Sequence, residues 1–351
     1  KGVFFFKSSN PYEFYDLLNG KNMDDKQDVW GTLIFPENAK KPCPLIIPIH
    51  GSAGLREGHH THMVNLLDAG FAIFRIHHFE SRGVISIVEN QTEVTLASMI
   101  TDAFRALALV SKHPDVDSDK IGIMGWSLGG STAFYAAWQP IIDTLTQNGE
   151  KFAAHLPIYP GTLLKPEDNR WSDAPMHILF GEDDDYTPLS LCKKMIEYMK
   201  PVRSVELTTY PNAHHSFDSI DPVEFIPYAI RLKDMFIDLK MDGRQIFTDE
   251  NNNTFHLDSL EERMRLLKET PNILGAHAGV LTAAAICINP ESFVTTFSVK
   301  AKISIASSKD VFPIKLIKLS LLWRLFNEPI SIPISSSFFD PMHKTFHPLF
   351  T

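Results

Sequence analysis

The sequence predicts an α/β protein whose sheet is doubly wound and mostly parallel, with helices on both faces. Short apolar runs of strand length alternate with longer segments of helical length through the first two thirds of the chain. Such alternation is typical of parallel strands joined by right-handed crossovers. A Gly-x-Ser-x-Gly motif at residues 125–129 stands between an apolar run and a helical segment, which is the place such a motif has in this fold class.

The first part of the chain contains four candidate strands. They are predicted at residues 30–35, 45–49, 71–76 and 121–124. Their apolar runs are typical of parallel strands buried on both faces. Helices are predicted at residues 61–69, ended by Gly70, and at residues 91–112, ended by Pro114.

The following part continues the alternation. Strands are predicted at residues 152–158, 176–180 and 205–210, and helices at residues 131–138 and 189–199. The last two strands are followed by loops that contain acidic residues and histidines, respectively. Open α/β sheets place their ligand chemistry at the carboxyl ends of the strands, so both loops are expected at the functional edge.

The Gly-x-Ser-x-Gly motif makes Ser127 a candidate nucleophile. The flanking glycines allow a sharp turn that projects the hydroxyl group into a pocket at the top of the sheet. A serine hydroxyl needs an imidazole to accept its proton, and the imidazole needs a carboxylate to fix its tautomer. The chain offers these groups in the order serine, acid, histidine.

The acid and the base each have neighbouring candidates. Asp183, Asp184 and Asp185 are consecutive, so at most two of them can face a histidine. His214 and His215 are adjacent and are expected to point in different directions. The residue pattern alone leaves these choices open.

An oxyanion hole requires two main-chain N–H groups near the nucleophile. One donor is expected from Leu128, the residue after the nucleophile. The other is expected from the loop that follows the strand at residues 45–49, with Ser52 as the first choice and Ala53 as the second. Small residues in that loop would let the main chain approach a substrate.

The segment from residue 29 to about residue 240 resembles the dienelactone hydrolase family of the α/β-hydrolase superfamily. The resemblance depends on motifs at residues 50–54, 81–83, 113–117, 125–129, 181–188 and 210–217. The type enzymes of that family use cysteine as nucleophile, whereas this chain has Ser127. This departure argues against dienelactone as the substrate and favours a serine esterase of the same fold.

The resemblance implies an α/β-hydrolase fold and assigns three catalytic residues. Family spacing selects Asp184, three residues after Gly181, and aligns His215 with the catalytic base. Asp183 and Asp185 are the alternatives for the acid, and His214 is expected to pack or hydrogen-bond locally. The resemblance also places Arg82 near the mouth of the site, where it could bind a substrate carboxylate; a structural salt bridge is the alternative.

The predicted function is hydrolysis of a carboxylic ester, lactone or related acyl compound through an acyl-enzyme. No metal or organic cofactor is expected, and the expected partner is a small-molecule substrate. Glu57, His59, His60 and His62 are close in sequence but lack a distant ligand, so a solvated loop or helix start is favoured over a metal site. The alternative functions are a prolyl-oligopeptidase-type peptidase and a binding protein that retains the fold.

Composition supports a globular enzyme. The formal net charge of −9 argues against nucleic-acid binding, which needs a clustered basic face. The three cysteines have no framework spacing. Because neither a signal peptide nor a disulfide framework is visible, a soluble cytoplasmic protein is favoured over a secreted or periplasmic one. The sequence leaves the oligomeric state open.

Three regions are predicted: an N-terminal segment (1–28), a catalytic domain (29–299) and a poorly defined C-terminal extension (300–351). Polar residues at 242–243 and 249–254 suggest a linker, and residues 260–268 a short charged helix. Residues 270–290 are expected to form a core-packing helix rather than a membrane span. The resemblance leads us to expect the last helix against the sheet at residues 279–288. No stable membrane span is predicted.

Overall fold

A computed structural model describes residues 1–278 of the 351-residue chain, apart from 89, 147, 148, 220, 232–234, 258 and 270–272. The strands are β1 (Gly2–Ser8), β2 (Gln27–Ile34), β3 (Cys43–Ile49), β4 (Ala72–Ile76), β5 (Val116–Trp126), β6 (Ala154–Ile158), β7 (Leu164–Pro166), β8 (His177–Gly181), β9 (Glu206–Tyr210), β10 (Glu224–Arg231), β11 (Ile237–Leu239), β12 (Gln245–Thr248), β13 (Thr254–His256) and β14 (Ile273–Ala278). The helices are α1 (Phe14–Leu18), α2 (Glu57–Asp68), α3 (Leu96–Val110), α4 (Leu128–Tyr135), α5 (Gln139–Leu145), α6 (Leu189–Met199) and α7 (Leu260–Glu269).

The main sheet has eight strands in the order β1-β2-β4-β3-β5-β6-β8-β9. β1 and β2 are antiparallel to each other, and β2 is antiparallel to β4. The other neighbouring pairs are parallel, so the predicted mostly parallel α/β sheet is confirmed. Every residue of β4, β6 and β8 is buried, which agrees with apolar strands covered on both faces.

The sheet extends one strand further at its N-terminal edge than the sequence analysis expected. Residues 2–8 lie in the segment predicted to precede the first strand, yet they form β1 and pair with β2 over their whole length. Every second residue of β1 up to Lys7 is exposed. The chain therefore contributes an edge strand whose alternation indicates burial on one face only.

The linker predicted at residues 242–243 and 249–254 is wrong. These polar residues mark the turns of a second sheet of four strands in the order β13-β12-β11-β7. The N–H of Lys240 donates to the carbonyl oxygen of Arg244 at 2.8 Å, and that of Asp249 to Asn253 at 3.0 Å. Turn residues between short strands resemble a linker in composition, but here they close hairpins.

The core-packing helix predicted at residues 270–290 is wrong for its first described part. Residues 273–278 form β14, which pairs antiparallel with β10. The helix expected at residues 279–288 and the extension at residues 300–351 lie outside the described residues. Among the helices that are described, none has the length and apolar character to cross a membrane.

Candidate active site

Ser127 stands at a sharp turn between β5 and α4. Its backbone has φ 55° and ψ −114°, a conformation that non-glycine residues adopt only when the surrounding structure enforces it. The N–H of Ser127 donates to the carbonyl oxygen of Ile158 in β6 at 3.0 Å. The turn is thereby anchored to the sheet, and the predicted nucleophile elbow is present.

Gly129 lets the first turn of α4 lie directly on β3. A Cβ atom at this position would collide with the carbonyl oxygen of Ile49 and would lie 2.6 Å from that of His50. Because both obstacles are backbone atoms, no side chain could rotate away to make room. The second glycine of the motif is therefore required for close approach.

The structure brings Ser127, His215 and Asp184 together in one chain of hydrogen bonds. His215 Nε2 lies 2.9 Å from Ser127 Oγ, and His215 Nδ1 lies 2.8 Å from Asp184 Oδ2. A carboxylate can only accept, so Nδ1–H donates to Asp184 and Nε2 is left to accept the serine proton. Both Asp184 and His215 are buried.

Asp184 is held by several donors besides the histidine. Its Oδ1 accepts the N–H groups of Tyr186 at 3.0 Å and Thr187 at 2.8 Å, and the Thr187 hydroxyl donates to Oδ2 at 3.0 Å. Neighbouring Asp183 is exposed, and Asp185 is half-buried. Of the three consecutive aspartates, Asp184 is thus the one that faces His215.

The imidazole of His215 is positioned by two tyrosine rings. Tyr159, at the end of β6, approaches it edge-on with 4.7 Å between ring centroids, and Tyr186 lies at the same distance in a tilted arrangement. Adjacent His214 is half-buried. Of the two adjacent histidines, His215 is the one that lies between Ser127 and Asp184.

A buried carboxylate below the triad was not found by sequence analysis. Asp218 accepts hydrogen bonds from Trp126 Nε1 at 2.8 Å and the Tyr159 hydroxyl at 2.7 Å, and lies 3.0 Å from His62 Nε2. Burial works to raise the pKa of Asp218, but the hydrogen bonds from His62 and Tyr159 and the charges of His62 and His59 together outweigh it, and the pKa is lowered. Burial and Asp218 raise the pKa of Tyr159 well above its usual range. These contacts hold Trp126, which precedes Ser127 in the chain, and Tyr159, whose ring packs against His215.

Both predicted oxyanion donors lie in segments next to Ser127. Leu128 is the first residue of α4, where a helix has N–H groups without partners of its own. Ser52 follows Gly51, at which a Cβ atom would lie 3.4 Å from Ser127 Cβ. The loop is held in place because Ile87 N–H donates to the carbonyl oxygen of Ser52 at 2.8 Å.

Comparison with protein families decides the identity. The model of the dienelactone hydrolase family matches residues 29–229. The chain belongs to the dienelactone hydrolase family. It is therefore a hydrolase that acts on ester bonds.

Solved structures of similar fold include a candidate dienelactone hydrolase from Klebsiella pneumoniae (18% identity, 62% of this chain and 89% of that chain, TM-score 0.45). They also include esterase 2 of Thermogutta terrifontis with propionate bound (18% identity, 60% and 85% covered, TM-score 0.44). Est1E from Butyrivibrio proteoclasticus, with ferulic acid bound, has 19% identity, 54% and 87% coverage and a TM-score of 0.41. Among curated proteins no match was found. At these TM-scores the likenesses do not identify a substrate.

Arg82 forms a buried ion pair with Asp102. Its Nη1 and Nη2 lie 2.8 Å and 3.0 Å from the two oxygens of Asp102, which also lies 2.8 Å from His78 Nδ1. Arg82 is absent from the lining of the cavity at Ser127. Of the two roles that the sequence left open for Arg82, the structure shows the salt bridge.

The histidines near residue 60 belong to α2 rather than to a solvated loop. The expected helix start is present, but His59 and His62 are buried, and His59 stacks on Trp126 with 4.2 Å between ring centroids. Within the part of the chain that is described, no three His, Cys, Asp or Glu side chains are arranged to hold a metal ion. The expected helix start is therefore confirmed, whereas the expected solvation is wrong for His59 and His62.

Proposed function

We propose that the chain hydrolyses carboxylic esters or related acyl compounds with Ser127 as nucleophile. The observation that carries the proposal is the continuous hydrogen-bonded path from Ser127 through His215 to Asp184. In this arrangement a base can accept the serine proton while a buried carboxylate stabilises the imidazolium that forms. The family assignment supports ester hydrolysis as the overall reaction.

In the first half-reaction, Ser127 Oγ attacks the carbonyl carbon of the ester and its proton passes to His215 Nε2. The carbonyl oxygen becomes an oxyanion, which we assign to the N–H groups of Leu128 and Ser52. When the tetrahedral intermediate collapses, the C–O bond to the alcohol breaks and His215 donates the proton to the leaving oxygen. The acyl group remains on Ser127.

In the second half-reaction, a water molecule gives a proton to His215 and attacks the acyl carbon. Collapse of the second tetrahedral intermediate returns the proton to Ser127 and releases the carboxylic acid. The edge-on contact from Tyr159 and the hydrogen bonds to Asp184 support a fixed position of the imidazole through both steps. A fixed geometry of this kind lowers the barrier because little reorganisation is needed.

The test is the Ser127→Ala variant, assayed with a short p-nitrophenyl ester. We expect a loss of kcat of about 10⁴-fold or more, since removal of a triad member leaves only the contribution of binding and the oxyanion donors. Ser118→Ala, at the exposed far end of the same strand β5, is the matched control and should retain wild-type kcat.

Labelling locates the acyl group independently. A fluorophosphonate should form one covalent adduct on the wild type, at Ser127 by peptide mass spectrometry, and none on Ser127→Ala. Wild-type turnover by folded Ser127→Ala would refute the proposed nucleophile.

A further inference from the structure

The triad opens into a cavity much larger than the reacting atoms require. It has a volume of about 510 Å³ and is bordered by Ser127, Leu128 and Ser52 on the catalytic side. Most of the exposed wall surface is apolar, and it includes contributions from Phe14, Leu96, Leu164, Leu191, Ile237 and Leu266; the polar side chains that also line the cavity are mostly uncharged. A space of this size and character accommodates a sizeable apolar group attached to the ester.

The charges in these walls cancel each other. Among the lining residues that the structure describes, the charged side chains are Glu13 and Arg263, and they form an ion pair with each other. Arg263 Nε also donates to the carbonyl oxygen of Leu257 at 2.7 Å, and the guanidinium lies 5.2 Å from the ring centre of Tyr12. The arginine is thus paired within the wall.

We propose that this pocket selects neutral esters with a large apolar group and rejects esters whose group ends in a carboxylate. The inference rests on the proposed function and specifies its substrate class. A bound carboxylate would lose its hydration while Arg263 already has Glu13 as its partner, so the desolvation cost would not be recovered. An apolar chain in the same place gains free energy with each methylene group that leaves water.

Part of the cavity wall lies outside the region that the family model matches. The family model covers residues 29–229, whereas Glu13 and Phe14 precede that region, and Ile237, Arg263 and Leu266 follow it. α1, the four-stranded sheet and α7 therefore contribute wall residues that the matched region does not supply.

The first experiment compares substrates on the wild-type protein. The panel contains p-nitrophenyl acetate, butanoate and octanoate, together with the mono-p-nitrophenyl ester of octanedioic acid. We expect kcat/KM for octanoate to exceed that for acetate by at least about tenfold, because burial of each methylene contributes roughly a factor of four. The octanedioate ester, of the same chain length, should be at least about tenfold poorer than octanoate.

The second experiment frees the arginine. In Glu13→Gln the guanidinium of Arg263 loses its counter-charge, so kcat/KM for the octanedioate ester should rise by about fivefold or more relative to octanoate. Asp28→Asn, which removes one partner of an exposed ion pair with Lys7, is the control and should leave that ratio unchanged. If Glu13→Gln does not fold, the comparison of the octanoate and octanedioate esters on the wild type still tests whether the pocket rejects a carboxylate.

The third experiment fills the cavity. Leu257→Trp should lower the ratio of octanoate to acetate kcat/KM by about fivefold or more, because the added ring occupies space that the long chain needs. Val202→Trp adds the same ring at an exposed position after α6 and should leave the ratio as in the wild type.

The failure of this inference can be distinguished from failure of the proposed function. Equal kcat/KM for all chain lengths, or a preference for the octanedioate ester, would overturn the substrate class while Ser127-dependent hydrolysis persisted. Hydrolysis that did not depend on Ser127 would instead overturn the mechanism on which the inference rests.

Discussion

At the scale of single residues, three residues at or beside the candidate site have backbone conformations that are unusual for their residue types. Ser127, Tyr159 and Ser216 all have positive φ values, 55°, 37° and 58°, although none of them is glycine. Such conformations cost free energy and persist only where neighbouring structure determines them. Ser127 belongs to the hydrogen-bonded chain and Ser216 follows His215 in the sequence. Tyr159 packs against His215, and its hydroxyl donates to Asp218 at 2.7 Å.

The identity of the acid can be tested with controls that the chain itself provides. Asp184→Asn should lower kcat by about 10⁴-fold, because an amide can hold His215 in the wrong tautomer while geometry is preserved. Asp183→Asn and Asp185→Asn change the neighbouring carboxylates, which do not face His215, and should stay within about threefold of the wild type. The measurement is steady-state kcat with a short p-nitrophenyl ester. An equal loss in Asp183→Asn or Asp185→Asn would contradict the assignment of Asp184.

At the scale of elements, α1 and the four-stranded sheet hold each other in place at one wall of the cavity. Asn19 Nδ2 donates to the carbonyl oxygen of Asp242 at 2.8 Å, and a Cβ atom at Gly243 would lie 2.6 Å from the carbonyl oxygen of Phe14. Phe14 in turn packs edge-on against Tyr135, with 5.7 Å between ring centroids. The turn at Asp242 and Gly243 thus positions Phe14, which lines the cavity.

Gly243→Ala should therefore loosen this wall. Gly243 has φ +88°, so alanine is strained there, and its methyl group would also press on the backbone of α1. We expect the free energy of unfolding to fall by about 2 kcal/mol or more, measured by urea denaturation, and KM for an apolar ester to rise. Gly70→Ala is the matched control, since Gly70 has φ +93° but nothing within 4 Å of its Cβ position. Equal losses in the two variants would show that the contact with α1 contributes nothing.

At the scale of the whole molecule, the sequence predicted those parts whose signals are local. α6 has the predicted limits, Leu189–Met199, and the buried parallel strands were recognisable as apolar runs. β1 was missed because an edge strand, buried on one face, needs its partner β2 to become recognisable. The four-stranded sheet was missed because its strands are only three or four residues long.

The same distinction holds for the site. Ser127, Asp184 and His215 each lie in a loop or turn that follows a predicted strand, so the residue pattern indicated the three segments. The choice of Asp184 and His215 within their segments came from the family resemblance. Asp218 has no comparable signal, because its partners Trp126 and Tyr159 lie 92 and 59 residues away along the chain. The ion pair that binds Arg82 likewise depends on a contact between distant segments that no local pattern indicates.

Buried histidines should make the whole molecule sensitive to mild acid. Burial lowers the pKa values of His50, His59 and His155 to about 3. An unfolded chain has histidines of pKa about 6.5, so between pH 6.5 and 3 the unfolded state binds more protons than the folded state. Stability is therefore complete above about pH 6.5 and falls as the pH decreases. Each such histidine should remove about 1 kcal/mol by about pH 5.5.

The effect can be measured as the free energy of unfolding in urea at about pH 7.5, 6.5 and 5.5. His155→Asn removes one of the titrating groups, and although it loses packing at all pH values, its decline between pH 7.5 and 5.5 should be smaller than that of the wild type by about 1 kcal/mol. His256→Asn changes an exposed histidine and should keep the wild-type decline. If the His155 variant declined as steeply as the wild type, proton uptake by that buried imidazole would not be a source of the acid sensitivity.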